Sequence, residues 1–513
     1  LLTGGGGWPN SVFLTPDLKP FYAGTYFPPE DSHGKPSFLK VLTAIHDAWE
    51  NRRDQVVAVS EQLTSAIREL ESGSREPPGD PDRALVELAQ SHIEGRYDAR
   101  FGGFGGAPKF PSSMSLDFLL SSWTRNKNEN TWRIVERSLE AMAHGGIYDQ
   151  VGGGFHRYST DAEWRVPHFE KMLYNQAGLG RLYLRAFEFS GRQSWRALAV
   201  DILAFVEHEL TAPEGPFYSA LDAETETVEG KYYLWTADEI GTALGADAKL
   251  FHELYELVPV PETGSNAVVR RQSVDSGSLP ADKHKRWLDM RRHLMKLRGD
   301  RIYPLRDDKV ITSWNGMMIE TYAEAYRVLR APEYKRSAES AATFILEQMR
   351  RPDGRLFRVY RQGERKYAAY LEDYAFLARG LLSLYGATGD PSWMRSAREV
   401  VELMLERFWD AQDGGFYFTE GGNDLLVRIK DGQDSALPSA TAVAIAVLLD
   451  LTEITGDSAY RDTATRCLRL FGAAMRARPL GFVRMISAAD RYLTSTPKEK
   501  SIRLPAKLIS PSV

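Results

Sequence analysis

The densest group of potentially reactive side chains lies in residues 145–177, GGIYDQVGGGFHRYSTDAEWRVPHFEKMLYNQA. His156 and His168 flank a loop in this stretch, and Glu170 stands at a predicted helix start. Imidazoles titrate near neutral pH and are the usual means of proton transfer at a sugar carbon. We therefore predict catalytic roles for these three residues, with structural histidines and a helix-capping glutamate as the alternatives. The neighbouring candidates for ligand binding are Asp149, Arg157, Tyr158, Tyr174 and Asn175.

Other acidic groups precede further predicted helices. The segment RDDKVITSWNGMMIETY places acids beside an aromatic ring and an amide, which suits a sugar ring, although a salt-bridged loop has the same composition. YLEDYAF, FYSALDAETE and DGQDSALPSAT repeat the pattern. The acids that we predict to be catalytic are Asp222, Asp307, Asp308 and Asp373. The residues that we predict to bind the ligand are Trp314, Asn315, Glu372, Tyr374 and Asp434.

Carboxylates, imidazoles and aromatic rings together suit a limited set of reactions. Two carboxyls can hydrolyse a glycosidic bond, and an acid/base pair can epimerise a sugar. Acids gathered in an enclosed site repel one another, so we expect at least one of them to have a raised pKa. The sequence has no Cys/His metal spacing, phosphate loop, nucleophile elbow or HExxH pattern, and its glycine-rich phrases lack the strand–helix setting of a dinucleotide fingerprint. We therefore expect no metal, no cofactor, and a small sugar or oligosaccharide as the ligand.

Composition restricts the other partners. The 64 Lys and Arg residues nearly balance 69 Asp and Glu residues, giving a formal charge of −5, which argues against nucleic-acid binding. The longest apolar stretch, 440–451, is shorter than the roughly 20 residues that cross a bilayer, so no membrane partner is expected. Cys467 is the single cysteine and cannot form an internal disulfide. We therefore expect a reducing compartment and a cytoplasmic location.

These side chains must be positioned by a long, mostly helical region. A chain of 513 residues suits two or more domains of roughly 100–200 residues each. The pattern of the first seventy-odd residues predicts a hairpin, with its turn at Asp17-Leu18, followed by one amphipathic helix. The composition of residues 71–82 is typical of a linker. The periodic apolar segments that follow lie near 82–95, 114–125, 131–145, 168–190, 193–211, 236–257, 282–298, 314–330, 333–350, 371–388, 391–408 and 438–478.

A short phrase recurs between the predicted helices, in the forms YDARFGGFGG, YDQVGGGFHRY, PEGPFYSALDAE, PDGRLFRVY and WDAQDGGFYF. Each joins an Asp/Gly turn to a short aromatic strand. Diffuse repeats of helix pairs indicate helical hairpins stacked in a ring. We predict a mainly α fold, an (α/α)6 toroid. Polar residues just before its inner helices should converge on one mouth, and the predicted inner helices include 168–190, 314–330, 371–388 and 438–453.

Several segments also carry a family resemblance. GGWPNSVFLTPDLKPFYAGTYFPPE, FYSALDAETETVEGKYYLWT, RDDKVITSWNGMMI and residues 145–177 resemble signature segments of the spermatogenesis-associated protein 20 family. The resemblance implies that residues 1–75 are the C-terminal half of a thioredoxin-like domain, that 82–490 form a six-hairpin, glycosidase-like barrel, and that 491–513 are a truncated or divergent tail. The family's Cys-x-x-Cys segment precedes the stretch that includes Pro9, a position matching the thioredoxin cis-proline. The chain is therefore expected to begin inside that domain.

The predicted barrel is similar to those of N-acylglucosamine 2-epimerases, cellobiose epimerases and unsaturated glucuronyl hydrolases. A shared fold does not transfer activity, so three interpretations stay open. The chain is a carbohydrate-active enzyme, a non-catalytic scaffold that binds a sugar or a protein, or a redox or chaperone-like protein that meets protein partners through a complete thioredoxin-like domain. Two carboxyls roughly 5–9.5 Å apart favour hydrolysis, and two histidines across a sugar-sized gap favour epimerisation.

Overall fold

The computed structural model of the chain describes residues 10–32, 34–73, 78–271, 280–422 and 425–495. Pro9 and the predicted tail beyond Ser495 lie outside the described residues. The chain forms two compact units, Leu1–Pro78 with Thr419–Lys430 and Gly79–Phe418 with Asp431–Val513. Along the described ranges, no helix is both long and apolar enough to cross a membrane.

The first unit combines a hairpin with two helices. Leu18 adopts the left-handed region (φ 63°) at the predicted turn, and the hydroxyl of Ser37 caps the first helix by accepting the N–H of Lys40. The prediction of one continuous helix is wrong, because Arg52 leaves helical geometry (φ −138°, ψ 35°) and separates two helices. The elements are β1 (Ser11–Leu14), β2 (Pro20–Gly24), α1 (Phe38–Asn51) and α2 (Arg53–Gly73).

The second unit is mainly helical, as its periodic apolar segments predict. A π-helical turn, Val206–Leu210, continues the helix that begins at Gln193. The α-helices, in chain order, are α3 (Arg83–Glu94), α4 (Ser113–Asn126), α5 (Glu129–His144), α6 (Leu173–Ser190), α7 (Gln193–Phe205), α8 (Ala237–Leu244), α9 (Ala248–Leu254), α10 (Ala281–Gly299), α11 (Thr312–Leu329), α12 (Pro332–Gln348), α13 (Leu371–Thr388), α14 (Pro391–Phe408), α15 (Ala440–Thr455), α16 (Ser458–Leu470), α17 (Gly472–Ala477) and α18 (Val483–Thr494).

Six helices of the described chain close into an inner ring. α4 packs against α6, α6 against α11, α11 against α13, α13 against α15, α15 against α18, and α18 back against α4. Behind them lie α3, α5, α7, α12, α14 and α16. Burial agrees with these two layers, because residues 440–449 of α15 are all buried, whereas α16 buries Ala464, Cys467 and Leu468. The predicted (α/α)6 toroid is confirmed.

The strands of the second unit are short, and their pairings within the described residues are all antiparallel. β5, β6 and β11 form one sheet, and β12, β13 and β14 form another. Their bounds are β3 (Tyr158–Ser159), β4 (Pro167–His168), β5 (Lys171–Met172), β6 (Ala220–Leu221), β7 (Glu224–Thr225), β8 (Val228–Glu229), β9 (Tyr255–Pro259), β10 (Asn266–Arg270), β11 (Arg306–Asp307), β12 (Val310–Ile311), β13 (Phe357–Arg361) and β14 (Glu364–Ala368).

The phrase that recurs in the sequence has a common structural role. Each copy lies between an outer helix and the next inner helix, and its turn is closed by one isolated backbone bridge. The bridges join Tyr97 to Phe104, Tyr148 to Phe155, Thr211 to Phe217, Arg350 to Leu356 and Trp409 to Phe416. The loops between the layers therefore share one geometry, which brings the polar residues that follow each phrase to the starts of the inner helices.

An insertion, residues 222–305, separates β6 from β11. It has a small core of its own, which includes Trp235, Phe251 and Leu294. The helix predicted over 236–257 is wrong at its end, since α9 stops at Leu254 and β9 pairs with the β-branched strand β10. The hairpin of β9 and β10 was not predicted from the sequence.

Two glycines let α11 and α13 approach closely. A Cβ atom at Gly316 would lie 2.5 Å from the carbonyl carbon of Phe376, and one at Gly380 would lie 2.6 Å from the carbonyl oxygen of Gly316. A side chain at either position would therefore overlap backbone atoms of the facing helix. This contact fixes the spacing of two neighbouring walls of the inner ring.

Candidate functional site

A cavity lies on the axis of the inner ring, within the first three turns of the inner helices. The volume of the cavity is about 60 Å³. Because a cavity volume of roughly 10–15 Å³ holds one water, the cavity has room for about four to six waters. A ligand of this size is at most one sugar ring. The lining residues are Ser113, Met114, Asp117, Tyr174, Asn175, Ala177, Gly178, Arg181, Met317, Glu320, Thr321, Phe376, Arg379, Ala436, Pro438, Val443 and Arg484.

Charged side chains line the cavity at a common depth. Arg181, Glu320 and Arg379 are each the ninth residue of an inner helix, α6, α11 and α13. At a rise of 1.5 Å per residue, each lies about 12 Å below its helix start. None of the three was predicted from the sequence, because the predicted site residues lie at or just before the helix starts. A single charge at the same position of successive apolar helices is the signal that would have found them.

Asp117 collects several of the cavity's cations. One of its oxygens, Oδ1, pairs with Arg185, and the other, Oδ2, pairs with both Arg181 and Arg484, the latter at 3.2 Å. Burial and the nearby charge of Arg181 lower the pKa of Arg484 to about 10. Two guanidinium groups of the cavity wall therefore share a single carboxylate oxygen.

Glu320 and Arg379 form the second ion pair of the wall. Arg379 donates from Nε to Glu320 at 2.9 Å and also pairs with Asp450. Burial would raise the pKa of Glu320, but Arg379, Arg181 and Arg484 lower it to about 2. Burial would likewise lower the pKa of Arg379, and Asp450 and Glu320 raise it. Both groups are therefore charged at neutral pH.

Two of the predicted ligand-binding residues line the cavity. Asn175 has a carboxamide oxygen that is buried and finds no hydrogen-bond partner among the described residues. Tyr174 packs edge-to-face against Trp314, with 4.9 Å between ring centroids, and is in hydrogen-bonding contact with Arg157. A buried acceptor without a partner costs free energy, so Asn175 is poised to accept a hydrogen bond from a bound molecule.

A cluster that we call the rim cluster continues from Tyr174. It consists of Arg157, Tyr158, His168 and Glu170. Arg157 pairs with Glu170 at 3.0 Å, and the Nε2 atom of His168 lies 3.6 Å from the same carboxylate. The imidazole stacks on Tyr158 with 4.9 Å between ring centroids, and its Nδ1 atom lies 2.8 Å from Glu229. The contacts from Tyr174 through Arg157 and Glu170 thus connect the cavity wall to one imidazole.

The ionisation of the rim cluster follows from these contacts. The hydrogen bond to Glu170 raises the pKa of His168 despite burial, with a further contribution from Glu229. The same hydrogen bond lowers the pKa of Glu170, and Arg157 adds to the effect. The pair is therefore an imidazolium next to a carboxylate over a wider pH range than isolated groups would be.

The predicted helix start at His168 is wrong. His168 lies in β4, and α6 begins at Leu173, whose N–H donates to the carbonyl of Ser219. Lys171 and Met172 pair with β6 instead of opening the helix. Glu170 therefore lies between two strands, and the helix-capping alternative for it is wrong.

His156 and Asp149 belong to a second buried group of charges, which we call the closed network. It also includes Lys171 and Arg298. Asp149 binds Lys171 at 2.8 Å and both carboxylate oxygens meet Arg298, at 3.0 and 2.9 Å. His156 is 2% exposed, with Nδ1 2.9 Å from the carbonyl oxygen of Phe169. Burial and Lys171 lower its pKa to about 3, so it is a neutral, structural histidine, and it does not line the cavity.

Asn315 and Tyr374 hold the recurring loops against the ring. Asn315 bonds both backbone groups of Phe217, at 2.8 and 2.9 Å, and the Tyr374 hydroxyl accepts the N–H of Leu356 at 3.0 Å. Gln176 binds Phe155 in the same way. All three are the fourth residue of an inner helix, and their polar groups are used within the fold. Asn315 and Tyr374 thus have structural roles where ligand binding was predicted.

Glu372, Asp373 and Asp434 lie at other inner-helix starts. Arg358 pairs with Glu372 at 2.6 Å and with Asp373 at 3.0 Å. Burial, reinforced by Glu372, raises the pKa of Asp373 to about 6 against the pull of Arg358. Burial also raises the pKa of Asp434 to about 6, although it accepts backbone N–H groups from Ser439 and Arg484. Raised carboxyl pKa values were expected, but these three acids do not line the cavity.

The remaining predicted acids point elsewhere. Asp222 is exposed and accepts the N–H of Glu224 at 3.0 Å. Asp307 pairs with its neighbour Lys309 at 3.1 Å. Asp308 pairs with Arg361. Burial would raise the pKa of Asp308, but the hydrogen bonds from Gln362 and Arg361 together lower it. None of these three acids is among the residues that line the cavity. Asp307 and Asp308 form the salt-bridged loop that was the alternative for their segment.

Comparisons with known proteins agree with this architecture. Residues 1–68 match a family described as a protein of unknown function, DUF255. Cellobiose 2-epimerase from Spirochaeta thermophila DSM 6192 is similar in structure, with a TM-score of 0.50 and 15% identity, over 76% of this chain and 86% of that one. The family 76 α-mannanase from Bacteroides thetaiotaomicron has a TM-score of 0.50 and 12% identity, over 80% and 94%. At these identities the likeness concerns the fold.

A relative in sequence identifies the family of the chain. Spermatogenesis-associated protein 20 from Rattus norvegicus is 35% identical over 534 residues, which cover 94% of this chain and 68% of the relative. The match covers most of both structural units, since 94% of the chain lies within it. The chain belongs to the spermatogenesis-associated protein 20 family.

Proposed function

We propose that the helical unit binds one sugar ring in the central cavity and exchanges protons with it through the rim cluster. The observation that carries this proposal is the cavity itself, a single-ring space at the axis of an apolar helical ring, walled by charged groups and by the unpartnered amide oxygen of Asn175. The fold of the chain is similar to those of a sugar epimerase and a glycoside hydrolase, which supports a sugar as the ligand.

The wall offers the contacts that a sugar requires. Sugar hydroxyls both donate and accept hydrogen bonds, and the wall supplies guanidinium donors, carboxylate acceptors and the Asn175 amide. Phe376 and the ring of Tyr174 supply apolar surface for the C–H groups of a pyranose. Pockets with a few convergent polar groups on an apolar lining are the usual form of small-molecule sites.

Proton transfer is assigned to His168. It is the imidazole that is partly exposed and connected by contacts to the cavity wall, whereas His156 is buried in the closed network. The raised pKa of His168 favours its imidazolium form, so we assign it the role of the acid. Neither imidazole lines the cavity itself. His168 is connected to the wall through Glu170, Arg157 and Tyr174, whereas His156 is held in the closed network, so an epimerisation that uses the two histidines as a pair is not supported.

Binding is tested first, by calorimetric titration of the purified chain with a panel of monosaccharides. Asn175→Ala should weaken the binding of a sugar at least about fivefold, since one hydrogen bond contributes about 1 kcal/mol. The matched control is Asn130→Ala, which removes an exposed amide far from the cavity. Equal affinities of both variants and the wild type, or no binding of any sugar, would contradict the proposal.

Catalysis is tested separately by following epimer and hydrolysis products. His168→Gln should abolish turnover and leave sugar binding within about threefold, whereas the exposed His208→Gln should leave both unchanged. One outcome would favour a second function, that of a sugar-binding scaffold. This is the outcome in which sugars bind but the wild type turns over none of them, and the proton-transfer role of His168 is then wrong.

A further inference from the structure

The charges of the cavity wall do not balance. Among the described lining residues, Arg181, Arg379 and Arg484 outnumber Asp117 and Glu320. A buried site with an excess of guanidinium groups is stabilised by an anion that replaces lost water. We propose that the sugar bound by this cavity is an acidic one, a hexuronate whose carboxylate is held by Arg181 and Arg484. This inference rests on the proposed function and specifies its substrate class.

The pairing pattern identifies the two arginines that hold the carboxylate. Within the described part of the chain, Asp117 is the one carboxylate within ion-pair distance of either Arg181 or Arg484. Both contact its Oδ2 atom, because Arg185 occupies Oδ1. Each guanidinium carries five N–H donors in a planar fork, so one shared oxygen leaves most of these donors available. A second carboxylate, brought by the ligand, is the acceptor that fits such forks in a bidentate way.

Arg379 differs from these two arginines. It meets Glu320 at 2.9 Å on one side and Asp450 on the other, so its charge is already compensated by the protein. The uncompensated charge is therefore on the side of the cavity formed by α6 and α18. Asn175 is on α6 as well, which places an acceptor for a ring hydroxyl on the same wall.

The helices add to the same preference. Three inner helices, α4, α6 and α18, contribute lining residues from their first three positions, so the N-terminal ends of these helices face the cavity. The N-terminus of a helix carries a partial positive charge of about half an elementary charge. Burial and Arg181 also lower the pKa of Arg484 to about 10, the direction expected where cations are crowded. A bound anion would relieve that crowding.

The experiment compares sugars that differ in one group. Binding of D-glucuronate and D-glucose, and of D-galacturonate and D-galactose, is measured by calorimetry at low and at physiological salt, with sodium sulfate as a further probe. We expect each hexuronate to bind at least about tenfold more tightly than its hexose, since hydrogen bonds to charged groups are stronger than neutral ones. Arg484→Gln should remove this preference, whereas Arg292→Gln, which alters an exposed arginine of α10, should retain it.

The outcomes separate the two proposals. If hexoses and hexuronates bind equally, the acidic-sugar inference is wrong and the proposed sugar site stands. If sulfate binds and no sugar does, the cavity is an inorganic-anion site and both proposals are wrong. If nothing binds, both are also wrong. The wild-type comparison decides between these outcomes even if Arg484→Gln fails to fold.

Discussion

Two groups of buried charges in the helical unit have similar composition and different surroundings. In the closed network, Asp149 accepts N–H groups of Val151 and Gly152 in addition to Lys171 and Arg298, so both of its oxygens are fully used. In the cavity wall, Arg181 and Arg484 share one oxygen of Asp117 and line the cavity. A polar network in which every group has a partner stabilises one packing. A network with spare donors beside a cavity is suited to a ligand.

The closed network should therefore carry the larger share of stability. Asp149→Ala leaves Lys171 and Arg298 buried without a carboxylate, and we expect it to lower the free energy of unfolding by about 3–5 kcal/mol. Asp222→Ala removes an exposed acid from the same unit and should change it by less than about 0.5 kcal/mol. Urea denaturation followed by circular dichroism measures both values. Equal effects of the two variants would show that the network is not structural.

A smaller effect is expected where the cavity wall depends on close helix packing. Gly316→Ala places a Cβ 2.5 Å from the backbone of Phe376, and we expect it to cost about 1–3 kcal/mol of unfolding free energy, the range for overpacked interiors. Because Gly316 is one turn before Glu320, the variant should also weaken ligand binding. Gly386→Ala in α13 is the control, since a Cβ there meets nothing within 4 Å.

For the control Gly386→Ala we expect the opposite sign of the change in unfolding free energy. Replacing a helical glycine by alanine in open space stabilises a protein by roughly 0.5–1 kcal/mol. Thermal denaturation of both variants, together with calorimetric binding, checks the pair. A neutral Gly316→Ala variant would mean that α11 and α13 move apart easily, and that the cavity wall is not fixed by this contact.

The sequence predicted the ring better than the site within it. Apolar periodicity reports which helix faces are buried, so α13 was predicted at its observed bounds, Leu371–Thr388. The recurring Asp/Gly phrases predicted loops of one type, and the isolated bridges follow that pattern. The start of α6 was misplaced by five residues because the pairing of Lys171 and Met172 with β6 is a contact between segments distant in sequence.

Only part of the cavity lining was predicted, because some of the lining residues lie deeper than the helix starts. Tyr174 and Asn175 lie at a helix start and line the cavity, as expected from the convergence of inner helices. Arg181, Glu320 and Arg379 lie two turns deeper, where a charge in an apolar helix would ordinarily be read as an exposed residue. Whether such a charge faces solvent or the ring axis depends on the rotation of the helix, which is set by its packing partners. The same limit applies to His156, whose burial results from contacts with the insertion.

The two histidines that seemed equivalent in the sequence provide the last prediction, and the effect we expect for His168 is the smallest. The folded-state pKa of His168 is raised, so its imidazolium stabilises the fold below pH 6.5, and this stability is lost as the pH rises through the folded pKa. The partners of His168 are partly exposed, so the contribution should be under about 1 kcal/mol. We expect the unfolding free energy of the wild type to exceed that of His168→Gln most at pH 5.5, and the difference to shrink by pH 8.5.

His156 should affect stability with the opposite sign. Its folded pKa of about 3 means that the unfolded chain binds the proton first as the pH falls. This histidine therefore destabilises the fold increasingly as the pH falls from 6.5 towards 3. Urea denaturation of the wild type, His168→Gln and His156→Gln at a series of pH values separates the two behaviours. Parallel pH profiles for both variants would contradict the assignment of one histidine to the rim cluster and the other to the closed network.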